Sequence, residues 1–196
     1  MEIAKGIGYK DYLKLNLSDY ENDDWMIAIG YLEKRLTDRF IEPADQLIKL
    51  ESDKNAIDKK YGFAVLALDC LLLETIQSFY EGISNSSGKS KALFIQFLQN
   101  RKNFKEYFKT ELDAVKFYKD FRCGILHQGQ TGRDTKVWSV GDLILKNNGF
   151  VIVNRHLFHE KIKIELEEYI KILRTKSDTG LLDNFKIKMD FICHKK

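Results

Sequence analysis

Apolar residues recur along most of this chain at intervals of three and four, the period that puts them on one face of an α-helix. The pattern predicts a first long helix over residues 24–53, kinked near the single proline, Pro43. A second, over 56–80, is the most apolar segment of the protein, and the polar run EGISNSSGKSK after it is a loop. A third helix covers 91–100 and continues unevenly toward Phe108. A fourth runs through FKTELDAVKFYKDFRCGILHQGQT and ends between His127 and Gly129. The period then changes. KVWSV, DLILKN and GFVIVN read as short strands, and Asn148-Gly149 between the last two is a hairpin signal because both residues tolerate positive φ. A charged amphipathic helix resumes after Asn154 and lasts to about Thr175, and Ser177 or Asp178 caps a last helix ending near Cys193. The expected fold is mainly α: a helical bundle with a β-hairpin or small antiparallel sheet inserted after the fourth helix. One domain is expected over 1–196, with a core at about 24–130, the hairpin at about 136–154 and C-terminal helices at about 155–193.

Composition narrows the function classes. With 44% hydrophobic and 12% aromatic residues in 196, the chain has the material for a packed core, which excludes global disorder. A net charge of +3 does not by itself point to a polyanion. Arginine supplies 7 of the 32 basic residues, so each arginine carries more information than a lysine. Cys70, Cys123 and Cys193 form no CxxC pair, which points to free thiols in a reducing, cytoplasmic setting. The N-terminal residues show no secretion signal. The longest apolar run, FAVLALDCLLL, is 11 residues, interrupted by Asp69 and too short for a bilayer, so no membrane partner is expected.

Several apparent motifs lose on inspection. GISNSSGKS, residues 82–90, looks like a phosphate loop but has five residues between its glycines where four are required, and follows a helix where a strand is required. His156 and His159 in HLFH lack companions at ligand spacing, so no metal and no cofactor is expected. On the second helix Ala67, Cys70, Glu74, Gln77, Ser78 and Glu81 share a stripe at 100° per residue. That stripe is either the solvent edge of an otherwise apolar helix, or it turns Glu74 toward a cation, with Arg122 or a lysine as partner.

The fourth helix carries the sharpest feature. Leu112, Val115, Tyr118, Ile125 and Leu126 gather on one face, Arg122 sits near its centre, and His127 follows at the helix end. A guanidinium cannot shed its charge, so Arg122 requires an acid, an interface or a bound anion. Its planar fork suits phosphate oxygens, and histidine moves protons near neutral pH. Together they can cleave RNA without a metal: a base activates the 2′-hydroxyl, an acid protonates the leaving oxygen, and a cation steadies the phosphorane. Five residues on a regular α-helix are about 140° apart, so the pair shares a side only if the helix loosens, or if more than one chain builds the site. Gly124 leaves room for another helix or a backbone to approach.

FRCGILHQ resembles the Arg-x4-His signature of HEPN domains (higher eukaryotes and prokaryotes nucleotide-binding). The resemblance implies a HEPN-like bundle and a metal-independent endoribonuclease that leaves 2′,3′-cyclic phosphate and 5′-hydroxyl ends. It implies a homodimer in which two motif helices meet, with Arg122 and His127 as catalytic residues and an antitoxin or defence-system partner in toxin or antiviral roles. Glu74, Cys123 and Gln128 are the expected supporting residues, and Lys116, Lys119, Arg133 and Lys136 the expected RNA contacts. The alternative reading is a non-catalytic helical module that dimerises or binds a nucleotide or protein.

Overall fold

The computed structural model describes residues 2–52 and 60–194. A short hairpin opens the chain, β1 (Glu2–Ala4) paired antiparallel with β2 (Ile7–Gly8), and leads into α1 (Tyr9–Leu13). The bundle follows as α2 (Asp24–Leu36), α3 (Glu42–Ser52), α4 (Gly62–Tyr80), α5 (Ser90–Asn100) and α6 (Glu111–Phe117). Beyond a three-stranded sheet come α7 (Arg155–Arg174) and α8 (Thr179–His194). The mainly helical fold with a small inserted sheet is the one the periodicity predicts.

The expected kink near Pro43 takes a particular form. A π-helical turn, Thr37–Ile41, joins α2 to α3, and the Glu42 N–H bonds the carbonyl of Thr37, five residues back. Proline has no N–H and crowds the carbonyl four residues before it; a widened turn just ahead of Pro43 accommodates both defects. The expected ends of the first helix at Asp53 and the second at Ala56 lie outside the described residues. Lys60 and Tyr61 precede α4 without being helical.

The sheet corrects one expectation. Asn148 (φ 47°) and Gly149 (φ 83°) make the hairpin between β4 (Ile144–Asn147) and β5 (Phe150–Asn154), as the dipeptide foretells. But β3 (Thr135–Trp138) pairs with β5 in parallel, so the order is β3-β5-β4 and the sheet is mixed. Asn154 holds the crossover: its N–H donates to Leu143 O at 3.0 Å and its Nδ2 to Gly141 O at 2.7 Å. The same side chain caps α7, accepting from the His156 and Leu157 N–H groups. Asp178 caps the start of α8 through Leu181 N–H.

One hydrophobic core runs from Ile3 to Cys193, with α4 at its centre packed against α5, α7 and α8. Phe117 ties the fourth helix into it, its ring 4.4 Å from Phe121 and 5.6 Å from Phe158, centroid to centroid. At 19 residues α4 is long and apolar enough to cross a bilayer by length and composition, a longer run than the 11-residue stretch suggested. Its packing is that of a core helix, and its one interior charge, Asp69, bonds His159 Nδ1 at 2.7 Å.

Candidate functional site

Four residues after α6 begins to bury Ala114 and Phe117, the helix changes pitch. From Tyr118 to Gln128 it is π-helical, with bonds reaching one residue further back than in an α-helix. Gly129 ends it in the left-handed region (φ 64°), its N–H bonding Ile125 O at 3.2 Å, and Gln130 N–H bonds Gly124 O at 3.3 Å. In a π-helix each residue turns through a smaller angle than in an α-helix, so residues five apart come much closer to one side. The 140° separation of Arg122 and His127 is thereby narrowed enough for their side chains to meet within a single chain. Arg122 Nη1 stands 3.3 Å from His127 Nε2.

Gly124 permits this ending. A Cβ there would lie 2.5 Å from Gln130 O. The backbone that approaches is therefore this chain's own, folding back after Gly129, where a second helix had been the other expectation. Gly132 continues the return: its N–H donates to Asp120 O at 2.9 Å, and its missing side chain leaves room for the Asp120 carboxylate.

Arg122 is positioned by α4. Its Nε donates to Glu74 Oε1 at 2.8 Å and its Nη2 to Oε2 at 3.5 Å; their side chains are 14% and 13% exposed. Ser90 Oγ donates to Glu74 Oε2 at 2.7 Å and lies 3.4 Å from the Tyr118 hydroxyl. The Tyr118 ring lies 5.6 Å from the guanidinium carbon. Burial works against the Arg122 charge, but the hydrogen bond and charge of Glu74 more than offset it, holding the guanidinium above its ordinary pKa. Burial also raises the Tyr118 hydroxyl, with the Cys123 thiol beside it. A guanidinium only donates, so a hydrogen bond from Nη1 leaves His127 Nε2 the acceptor, with its lone pair turned into the site. His127 is exposed on its other side.

The Glu74–Arg122 pairing is the arrangement that α4's polar stripe allowed, although the stripe itself sits elsewhere. Cys70, Gln77 and Ser78 are buried, and α4 turns Phe63, Ala64 and Leu71 outward. The face of the fourth helix is likewise rotated. Ala114, Phe117 and Phe121 enter the core, whereas Leu112 is 76% exposed and Leu126 36%. Cys123 is half-buried and a free thiol, and Gln128 is exposed at the helix end.

The expected RNA contacts are spread out. Lys116 is bonded to Asp120 at 2.8 Å, Lys136 lies over the Phe150 ring, and Lys119 and Arg133 are exposed. None of the four has a described contact with Arg122 or His127. His156 and His159 diverge, the first lying 3.5 Å from Glu51 and the second bonding Asp69. Among the described residues no group of three or more His, Cys, Asp or Glu side chains is set to hold a metal ion.

Sequence reasoning missed Ser90 as a member of the site. The visible signal was its place at the junction of a polar loop and a helix, where a hydroxyl commonly finds a local partner. In comparisons with known proteins, no family model, no curated protein and no solved structure matches the chain.

Proposed function

We propose that the chain is a metal-independent endoribonuclease of the HEPN type, with Arg122 and His127 as its catalytic residues. The observation that carries this reading is the 3.3 Å approach of Arg122 Nη1 to His127 Nε2, with the guanidinium braced from behind by Glu74. When RNA binds, Arg122 Nη1 turns from His127 Nε2 to a phosphoryl oxygen; the freed Nε2 takes the proton of a ribose 2′-hydroxyl, and the 2′-oxygen attacks the adjacent phosphorus. The P–O5′ bond breaks as the leaving oxygen gains a proton, giving a 2′,3′-cyclic phosphate and a 5′-hydroxyl. Arg122 steadies the negative charge that builds on the phosphoryl oxygens. Glu74 is a positioning residue: it holds Nε and, at 3.5 Å, Nη2, and leaves Nη1 facing the histidine.

The acid comes from a second copy of the chain in this reading. Exposed Leu112 and Leu126, on the helical segments that carry the Arg122–His127 pair, supply apolar surface for a homodimer contact. Lys116, Lys119, Arg133 and Lys136 then track the RNA backbone from the rim. A role in phage defence or as a toxin, with a cognate inhibitor, follows from the same resemblance.

The test is cleavage of single-stranded RNA in EDTA by wild type, Arg122→Ala and His127→Ala, with molar mass measured by light scattering. Each substitution is expected to lower the rate by about 10²- to 10⁴-fold. Activity indifferent to both substitutions sinks the mechanism. A second reading, a non-catalytic dimerisation or binding module, is favoured by the Glu74–Arg122 ion pair, which satisfies the arginine without any substrate. Absence of cleavage on any RNA from a dimeric wild type selects it.

A further inference from the structure

A cleft of about 370 Å³ opens between α2, α4 and α8, with Glu74 in its wall. Three cations line it: Arg35, Arg39 and Lys188. None is bonded to a carboxylate among the described residues. Arg35 Nη1 donates to Ile3 O at 2.8 Å, Arg39 Nη2 to Glu2 O at 3.1 Å, and Lys188 Nζ to Ser84 O at 3.1 Å. Each backbone carbonyl occupies one donor of a group that has several, and it brings no compensating charge.

This arrangement is costly without an anion. Lys188 is 7% exposed, and a buried ammonium ordinarily pairs with an acid. Burial holds both Arg35 and Lys188 below their ordinary pKa values, and repulsion adds to it, from Arg39 on Arg35 and from Arg35 on Lys188. The one carboxylate on the described wall is Glu74, already bonded by Arg122 and Ser90. Ser86 and Thr75 add hydroxyls, and Phe40 and Leu71 add apolar wall. The volume lies within the range of small-molecule sites, roughly 300–1,000 Å³.

We propose that this cleft is a phosphate-binding site, in which Arg35, Arg39 and Lys188 converge on the phosphate of a nucleotide-sized organic phosphate while Phe40 and Leu71 meet its apolar part. The site does not rest on the ribonuclease reading, since none of the three cations belongs to the Arg122–His127 pair. The ligand's phosphate has two possible sources, a free phosphorylated small molecule or a nucleotide within an RNA strand.

The test is calorimetric titration at low salt with three probes: inorganic pyrophosphate, ATP and an eight-nucleotide oligoribonucleotide. The protein carries His127→Ala, which leaves the Arg122–Glu74 pair on the cleft wall intact, so that cleavage and binding are read apart. Pyrophosphate or ATP is expected to bind saturably, and Arg39→Gln and Lys188→Met each to weaken it at least about tenfold. Lys105→Gln, on the exposed segment beyond the opposite end of α5, leaves the affinity unchanged. Pyrophosphate and ATP binding without the oligomer assigns a free phosphorylated ligand; an oligomer that competes with pyrophosphate assigns an RNA nucleotide. Should Lys188→Met fail to fold, Arg39→Gln decides alone, because Arg39 is exposed and its described hydrogen bond is to a carbonyl. No saturable binding of any probe, or binding that neither substitution moves, overturns the proposal.

Discussion

The protein contains the same trio twice. Arg122, Glu74 and His127 form one set; Arg155, Glu51 and His156 form the other. In the second, Arg155 bonds Glu51 through both Nε and Nη2, and their side chains are 5% and 0% exposed. Gly62 leaves the space this arginine needs, since a Cβ there would lie 2.9 Å from Arg155 Cδ. Tyr61 N–H also bonds Glu51, so the carboxylate is enclosed on every side that matters. In the first set the arginine also gives Nε and, at 3.5 Å, Nη2 to the acid, but its Nη1 stands against the histidine and its side chain is 14% exposed. Residue identity is therefore a poor guide to chemistry. Access to solvent, and what faces the remaining nitrogen, separate the two sets.

The largest expected effect that tests this contrast is on stability. Arg155→Met strands the Glu51 charge inside the fold and should cost about 3–5 kcal/mol in urea unfolding. Glu74→Gln, at the half-open pair, should cost about 1–2 kcal/mol and, on the proposed ribonuclease reading, slow RNA cleavage, because Arg122 loses its brace. Equal losses of stability at the two sites would erase the distinction between them.

Next in size is a pH effect, in which two sealed ion pairs should respond in opposite directions. Burial opposes the Glu51 charge, but Arg155 and the Tyr61 N–H outweigh it and hold the carboxyl below its ordinary value. Its folded pKa is depressed, so its contribution is present above the ordinary carboxyl range and is lost as the solution is acidified. The Asp69–His159 pair does the reverse. Burial pushes Asp69 up to about 6, and Asp69 raises His159 against the effect of burial. Both folded values exceed the unfolded ones, so the folded chain holds the extra proton and stability falls as pH rises. Measured by urea unfolding at several pH values, the advantage of wild type over His159→Gln should shrink as pH climbs through and beyond 6.5. A constant advantage would mean that the pair does not share its proton in the way its geometry implies.

The smallest effect concerns the end of the π-helix. Gly129→Ala forces a side chain into the left-handed region and should destabilise the protein by about 1 kcal/mol. On the proposed ribonuclease reading, if that turn presents His127 to Arg122, cleavage should fall further than the loss of folded protein explains. Loss of activity merely proportional to unfolding would remove Gly129 from the site's construction.

Much of the architecture is local and was legible along the chain. Helical periodicity located α5, α7 and the motif helix. Asn148-Gly149 marked its turn because positive φ is a property of two residues and their neighbours, and Asn154 and Asp178 marked helix starts for a similarly local reason. Arg122 stood out because a permanent charge on an apolar helix demands a partner, whatever the fold. What needed the folded structure was everything that depends on pitch or on distant packing. A 100° ruler set Arg122 away from His127, which the π-helical pitch reversed, and on the regular α-helix α4 packing buried Cys70 and Ser78, which the chain alone offered as a solvent edge. The π-helical turn depends on where the returning backbone at Gln130 docks, and the parallel pairing of β3 depends on which strand edge it meets. The Arg35, Arg39 and Lys188 cleft gathers residues about 150 positions apart. Periodicity records which residues turn inward, because burial leaves its mark on every turn of a helix. It holds no record of which distant charges will share one cleft, because that convergence arises only when the helices pack.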